Sequence, residues 1–382
     1  MGQSQKHFLI VAGEASGDVH AAHLVDELKK IDRTLTFSGV GGPRLQASGV
    51  ALYKDISSLA VVGFVEVIKH YREIRDIFDL ILQKIAEAKP QAVILVDYPG
   101  FNLRLAREIK KRNVKVIYYI SPQVWAWKAD RVTQIKKYVD KMLVLFQFEQ
   151  DFYARHGIPV DFVGHPLVDA VYPQMNRNEF LKKHGLNTEK LTIGLLPGSR
   201  QNEVTSLLPV MLAAANILHK KFAPIQFLVM KAHTIERALL ERYCHNAACQ
   251  PKIIEAETYD GINACHLCIV ASGTATLETA ILGKPMVITY KTSLFTWLMA
   301  KLLVKIPYIG LVNVVAGKKI VPECIQFQAT PGHVASELRK IITDETRIAD
   351  IKKNLQDVKN LLGPPGASHR AARVIYQTIN AT

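Results

Sequence analysis

Short apolar, β-branched runs alternate with helix-like stretches along the whole chain, and no other feature limits the fold as tightly. HFLIVAG, TFSGVG, AVILVD, VKVIYYI, KMLVLF and VDFVG fill the first half; LTIGLLPG, IQFLVM, KIIEA, LCIVAS and MVITYK fill the second. Near-continuous apolar strands are buried on both faces, which calls for parallel sheets covered by crossover helices. A chain of 382 residues makes about two domains at roughly 100–200 residues each. The polar, proline-containing stretch from Val171 to Asn178 follows the last strand of the first set and precedes the first strand of the second. The expected architecture is α/β: two doubly wound, Rossmann-like domains, residues 1–172 and 173–360, facing one another across a cleft. After the break GPPG at Gly363 to Gly366, residues 361–382 resume as a helix (SHRAARVIYQTI) that can pack back on either domain.

Doubly wound sheets bind ligands at the carboxyl ends of their strands. Four motifs fall there: VAGEASGD, VDYPGFN, GSR and ASGTATLE. In the third, Pro197-Gly198-Ser199-Arg200 lies between a strand and a helix expected to start near Glu203. Helix N-terminal amides and a fixed guanidinium can hold a diphosphate, although an ordinary turn with a surface arginine reads the same way. In the fourth, Ser272-Gly273-Thr274 precedes Glu278 by a spacing that puts the carboxylate one turn into the next helix. There it can take both hydroxyls of a ribose while the preceding amides face phosphate; a capped helix start with a downstream glutamate looks alike.

In the first half, Asp97 ends an apolar strand before the turn Tyr98-Pro99-Gly100. It is a candidate general base, since a carboxylate exposed at a strand end can take the proton of a substrate hydroxyl. The alternative is an N-cap for a helix starting near Asn102, and Asn102 itself either orients an acceptor or caps. The loop from Gly13 to Asp18 lacks G-x-G-x-x-G, and the carboxylates of Glu14 and Asp18 repel a pyrophosphate, so it reads as an acceptor-side loop. Ser16 and Asp18 equally suit the cap and first turn of a helix running to Ile31. His165 in VGHP is a cleft residue or a satisfied turn histidine, and the pair Trp125 and Trp127 defaults to packing.

A net charge of +14 attracts polyanions of any kind. No zinc-finger spacing, RNA-binding aromatic signature or basic block accompanies it, so nucleic acid is not an expected partner. Five cysteines, an odd number, argue against a disulfide framework, and the C-x-x-C of Cys265 and Cys268 has no second ligand pair, so packed thiols and no metal are expected. The apolar run after Lys6 reads as a strand without a cleavage context, and no stretch suits a membrane span; a cytoplasmic protein is expected. Val61 to Leu82 and Thr292 to Tyr308 mix large apolar residues with lysine and arginine. Both fit interfacial helices, with Val62, Phe64, Val65, Ile68 and Trp297 as membrane contacts. The rival is a core helix with a solvated basic face.

Taken in order, VAGEASGD, GVGGPR, VVGFVEV, VDYPGFN, SPQVWAWK, VGHPLVDA, LLPGSRQNEV, ASGTATLE, YIGLVNVVAG and GASHRAA resemble successive motifs of the lipid-A-disaccharide synthase family across nearly the whole chain. The resemblance implies a GT-B fold and an inverting, metal-independent transfer without a cofactor. The donor would be UDP-2,3-diacylglucosamine and the acceptor 2,3-diacylglucosamine 1-phosphate, lipid X. Carried over by position, Asp97 becomes the base, Arg200 the diphosphate partner and Glu278 the ribose partner. Asn313 in GLVNVVAG becomes an active-site residue that the pattern alone does not single out. The family also implies that the segment after Val61 touches an anionic inner-membrane surface, which suits the basic balance, and that a homodimer can form by exchange of C-terminal parts. Some relatives carry an acidic residue where this chain has Gly100. The rivals are a UDP-N-acetylglucosamine 2-epimerase-like enzyme and a non-enzymatic UDP-sugar-binding membrane sensor.

Overall fold

The computed structural model describes residues 6–55, 71–126, 130–222, 224–303 and 306–381. The chain divides into two compact units: Met1–Pro166 together with Gly363–Thr382, and Leu167–Leu362.

Among the described residues of the first unit, seven strands form one sheet: β1 (His7–Ala12), β2 (Thr36–Gly41), β3 (Ala51–Asp55), β4 (Ala92–Val96), β5 (Lys115–Tyr119), β6 (Lys141–Val144) and β7 (Val160–Phe162). Their order is β3-β2-β1-β4-β5-β6-β7, with every pairing parallel. Alternate side chains of the central strands, Leu9, Val11, Val93, Leu95, Val116 and Tyr118, join a core with Ile77, Ile81 and Ile85 of the helix Tyr71–Ala88 and with Leu105 and Ile109 of the helix Pro99–Lys110. One of the two alternating faces of each strand and the 3.6-residue stripe of each helix meet there. Residues 71–82 thus lie on a helix whose apolar stripe joins this core. Val62, Phe64, Val65 and Ile68 lie outside the described residues, as does Trp127.

The C-terminal helix Ala367–Asn380 packs on the helix Ala15–Ile31. Buried Ala367, Ala371 and Ala372 allow close approach. Arg370 donates from Nε to the carbonyl of Val163 at 2.8 Å and from its terminal nitrogens to the carbonyls of Pro364 and Pro365, so the GPPG break is tied to the first unit.

The second unit carries β8 (Leu191–Leu196), β9 (Ile225–Lys231), β10 (Lys252–Glu255), β11 (Leu267–Ala271), β12 (Met286–Tyr290) and β13 (Glu323–Ile325), again parallel, in the order β10-β9-β8-β11-β12-β13. The polar stretch after Val171 is anchored here, because Asp260 Oδ1 accepts from the amides of Gln174 and Met175 at 2.6 and 2.7 Å. β3 and β13 were not among the expected strands. β3 is a largely exposed edge without an apolar run and β13 has only three residues, so neither carries the buried-strand pattern. Cys265 and Cys268 are buried free thiols. No described helix is long and apolar enough to cross a membrane. In each sheet the strand order reverses once, between β1 and β4 and between β8 and β11; adjacent loops leave in opposite directions at such a switch point and open a crevice at the strand ends.

Candidate active site

In the first unit, the pairing of Ala12 with Val96 brings Gly13 and Glu14 beside Asp97. The chain leaves β4 through two consecutive left-handed residues, Asp97 at φ 49° and Tyr98 at φ 46°, a conformation that costs roughly 1–2 kcal/mol per residue without glycine. Surrounding groups hold it. The Asp97 carbonyl accepts from the Tyr118 hydroxyl at 2.6 Å and from Asn102 Nδ2 at 2.7 Å. The Tyr98 carbonyl accepts from the amides of Phe101 and Asn102. The Tyr98 ring lies over Gly13, where a Cβ would stand 2.2 Å from a ring carbon; only glycine fits.

The helix begins at Pro99 with Tyr98 as its N-cap residue. Asp97 is therefore not a cap, which corrects that alternative. Asn102 is fully buried and its Nδ2 is spent on the carbonyls of Val96 and Asp97. Through these bonds it holds the Asp97 backbone in place. The half-buried Asp97 carboxyl is pushed up to about 6, first by burial and then by the Glu14 carboxylate, against a hydrogen bond from the Tyr98 amide. It is thus ionised at neutral pH yet close enough to its balance point to accept a proton, the condition for a general base.

Asp18 is buried. Its carboxylate accepts from the amides of Gly42, Arg44 and Leu45 at 2.7, 2.9 and 3.2 Å, capping the short helix Pro43–Ala47. The acceptor-side reading of Asp18 is corrected to a loop clamp. Ser16 is exposed. His165 is buried against Phe146, with ring centroids 5.2 Å apart. Burial and the neighbouring His20 hold its imidazole down at about 3, and His20 itself lies at about 4. Both rings are neutral at physiological pH. Trp125 donates to Glu149 Oε1 at 3.1 Å and meets Phe148 edge-on, a packing role.

In the second unit, the pairing of Leu196 with Val270 sets the Pro197–Arg200 turn beside Ser272–Thr274. Every residue expected to hold a UDP moiety lines one cavity of about 940 Å³: Gly198, Ser199, Arg200, Ser272, Gly273, Thr274 and Glu278. Its size falls in the range of small-molecule sites. Glu278, one turn into the helix Ala275–Ile281, is oriented by the Tyr259 hydroxyl at 3.2 Å and is raised above the ordinary glutamate range by burial. The helix Gln201–Lys221 starts two residues earlier than expected, with Arg200 as its N-cap residue and Glu203 folded back on the turn.

Asn313 stands apart from these groups in its chemistry. It is fully buried, donates to Val321 O and Glu323 Oε1 at 3.0 and 2.8 Å, and accepts from the amides of Ile320 and Val321 at 2.9 and 3.1 Å. All four hydrogen-bonding positions of the amide are used. Glu323 in turn accepts from the amides of Ile309 and Gly310, and Ser272 Oγ donates to the Ile309 carbonyl at 3.1 Å. The expected active-site role of Asn313 is therefore corrected to organising residues 309–323 behind the cavity. Sequence reasoning missed Tyr118 and Tyr259, whose partners lie 21 and 19 residues away. It also missed the role of Glu203, although a glutamate three residues after an N-cap was readable as a capping box.

Compared with known proteins, residues 8–375 match the family model described as lipid-A-disaccharide synthetase. A lipid-A-disaccharide synthase from Syntrophus aciditrophicus is 44% identical over 372 residues, covering 97% of each chain. Among solved structures, the S. aureus MnaA–UDP co-structure aligns with TM-score 0.66 at 13% identity, covering 99% of this chain and 98% of that one. CalG4, the calicheamicin glycosyltransferase, aligns with TM-score 0.62 at 14% identity, covering 99% of both chains. The two parallel-sheet units are those of the GT-B fold.

Two outcomes test the site. Asn313→Ala leaves two buried amides and Glu323 short of partners, and at about 1–3 kcal/mol for each unsatisfied group it should lower the melting temperature by several degrees; an unchanged melt with turnover lost would return Asn313 to direct substrate contact. With Asp97 as base, turnover should fall as pH drops through about 6. Glu14→Gln removes a like charge, lowers the Asp97 pKa and should move that limb to more acidic pH, and a pH–rate profile that stays in place or moves the other way would disprove the coupling.

Proposed function

The chain belongs to the lipid-A-disaccharide synthetase family and is a glycosyltransferase of lipid A biosynthesis; we propose that it joins UDP-2,3-diacylglucosamine to lipid X with inversion, yielding the β(1→6) disaccharide 1-phosphate and UDP. The observation that carries this reading is the match of residues 8–375 to the lipid-A-disaccharide synthetase family, with Asp97 at a switch-point strand end as the base. Asp97 takes the proton of the acceptor hydroxyl as that oxygen attacks the anomeric carbon from the face opposite the diphosphate. The new carbon–oxygen bond forms, the bond to the diphosphate breaks, and UDP leaves with the electron pair.

On the donor side, Arg200 and the Gly198–Arg200 turn hold the diphosphate, Glu278 takes the ribose hydroxyls, and Ser272, Gly273 and Thr274 complete the wall. On the acceptor side, Glu14 and Ser16 stand at the end of β1. His165 serves as a neutral hydrogen-bonding group, since its imidazole stays uncharged down to about pH 3. Membrane contact is supported by the helix Leu294–Leu303, where Leu294, Leu298 and Met299 are exposed. Phe327, 68% exposed, meets Trp297 edge-on, and Lys301 Nζ lies 4.6 Å from the Trp297 ring centre. An apolar patch rimmed by lysine suits the boundary of an anionic leaflet.

UDP release in detergent micelles with EDTA present is the deciding assay. It should require both UDP-2,3-diacylglucosamine and lipid X, and Asp97→Ala should bind UDP while losing about 10²–10⁴ in turnover. Release from UDP-N-acetylglucosamine alone would favour an epimerase-like enzyme, and binding without turnover a sensor. For the membrane, Leu298→Glu should reduce flotation with anionic liposomes; undiminished flotation would remove this helix from the contact.

A further inference from the structure

The donors expected to receive the diphosphate are already engaged by a group of this chain. The Ser199 and Arg200 amides both donate to Glu203 Oε2, at 3.1 and 3.3 Å, and the Arg200 guanidinium donates to Glu203 Oε1 at 2.9 Å. The turn is shaped around that carboxylate. Gly198 sits at φ +112°, and a Cβ there would lie 2.5 Å from Glu203 Oε2. Glu203 and Arg200 line the same cavity as Ser272 and Glu278. We propose that Glu203 is a built-in competitor for the donor diphosphate: its carboxylate occupies the anion-binding turn and yields it when the nucleotide arrives. The inference rests on the diphosphate being held at this turn.

The chemistry favours exchange over permanent closure. A diphosphate carries more charge and more acceptor oxygens than one carboxylate, so it outcompetes Glu203 for the same N–H groups. The Arg200 side chain is 82% exposed, and an ion pair so open to water is weak. Glu203 cannot share the site, because its negative charge beside the phosphates would be repulsive. A protein whose binding-competent form is only a fraction of the total shows an affinity reduced by that fraction. Removing the competitor therefore tightens binding without adding a contact.

Calorimetric titration of UDP and of uridine into the full-length protein and its Glu203→Gln, Glu203→Ala and Arg200→Ala variants tests this. Glutamine retains an oxygen to cap the helix and guards against a folding defect in the alanine variant. Glu203→Ala should bind UDP severalfold tighter and Glu203→Gln tighter by less, since its oxygen still accepts from the turn amides, with uridine affinity unchanged in both, and Arg200→Ala should bind UDP more weakly. UDP affinity unchanged or weaker in both Glu203 variants, or an equal gain for uridine, would overturn the competitor role while leaving the diphosphate assignment in place. UDP binding indifferent to Arg200→Ala would instead remove the diphosphate from this turn, and the competitor with it.

Discussion

The parallel pairing of β1 with β4, Ala12 opposite Val96, and of β8 with β11, Leu196 opposite Val270, sets where the strand-end groups of both sites stand. These strands are buried on both faces, so a slip of one residue would exchange side chains of different shape between two close-packed layers and is resisted by the repacking it forces. With the register held, Glu14 lies close enough to Asp97 to raise its pKa, and the turn carrying Arg200 lies beside Ser272–Thr274. Both juxtapositions occur where the strand order reverses. Elsewhere along either sheet, consecutive loops run the same way and leave no crevice.

Away from the sheets, buried polar side chains hold the loops in shape. Asp18 gathers three amides of the second strand's exit, Asn102 and Tyr118 clamp the left-handed exit of β4, and Asn313 with Glu323 organises the segment joined to Ser272 at the cavity of the second unit. Backbone that departs from helix and ladder must still satisfy its amides and carbonyls when buried, and a side chain that supplies the partner is costly to replace. Several polar residues of the family-like motifs therefore stand one layer behind the chemistry. The left-handed pair at Asp97 and Tyr98 shows what that layer accomplishes: a conformation that an isolated peptide would avoid is stabilised so that the carboxyl projects from the strand end.

Sequence alone determined the α/β class, the two sheets, most of the strands and the loops that carry the functional groups, because apolar runs, glycine turns and strand–helix alternation are local signals. It also marked Asp97, Arg200 and Glu278 as polar groups at strand ends. Only the tertiary structure decided which unit receives the C-terminal helix, since its apolar stripe suits any complementary face and Arg370 selects the carbonyls near Val163. Likewise, only the folded chain reveals that Asp18 and Asn102 spend their hydrogen bonds on backbone, that Asn313 divides its bonds between backbone and Glu323, that Glu14 shifts Asp97, and that Glu203 lies in the turn after β8. A side chain's residue type states what it can bond; burial and the partners brought from distant positions state what it does bond.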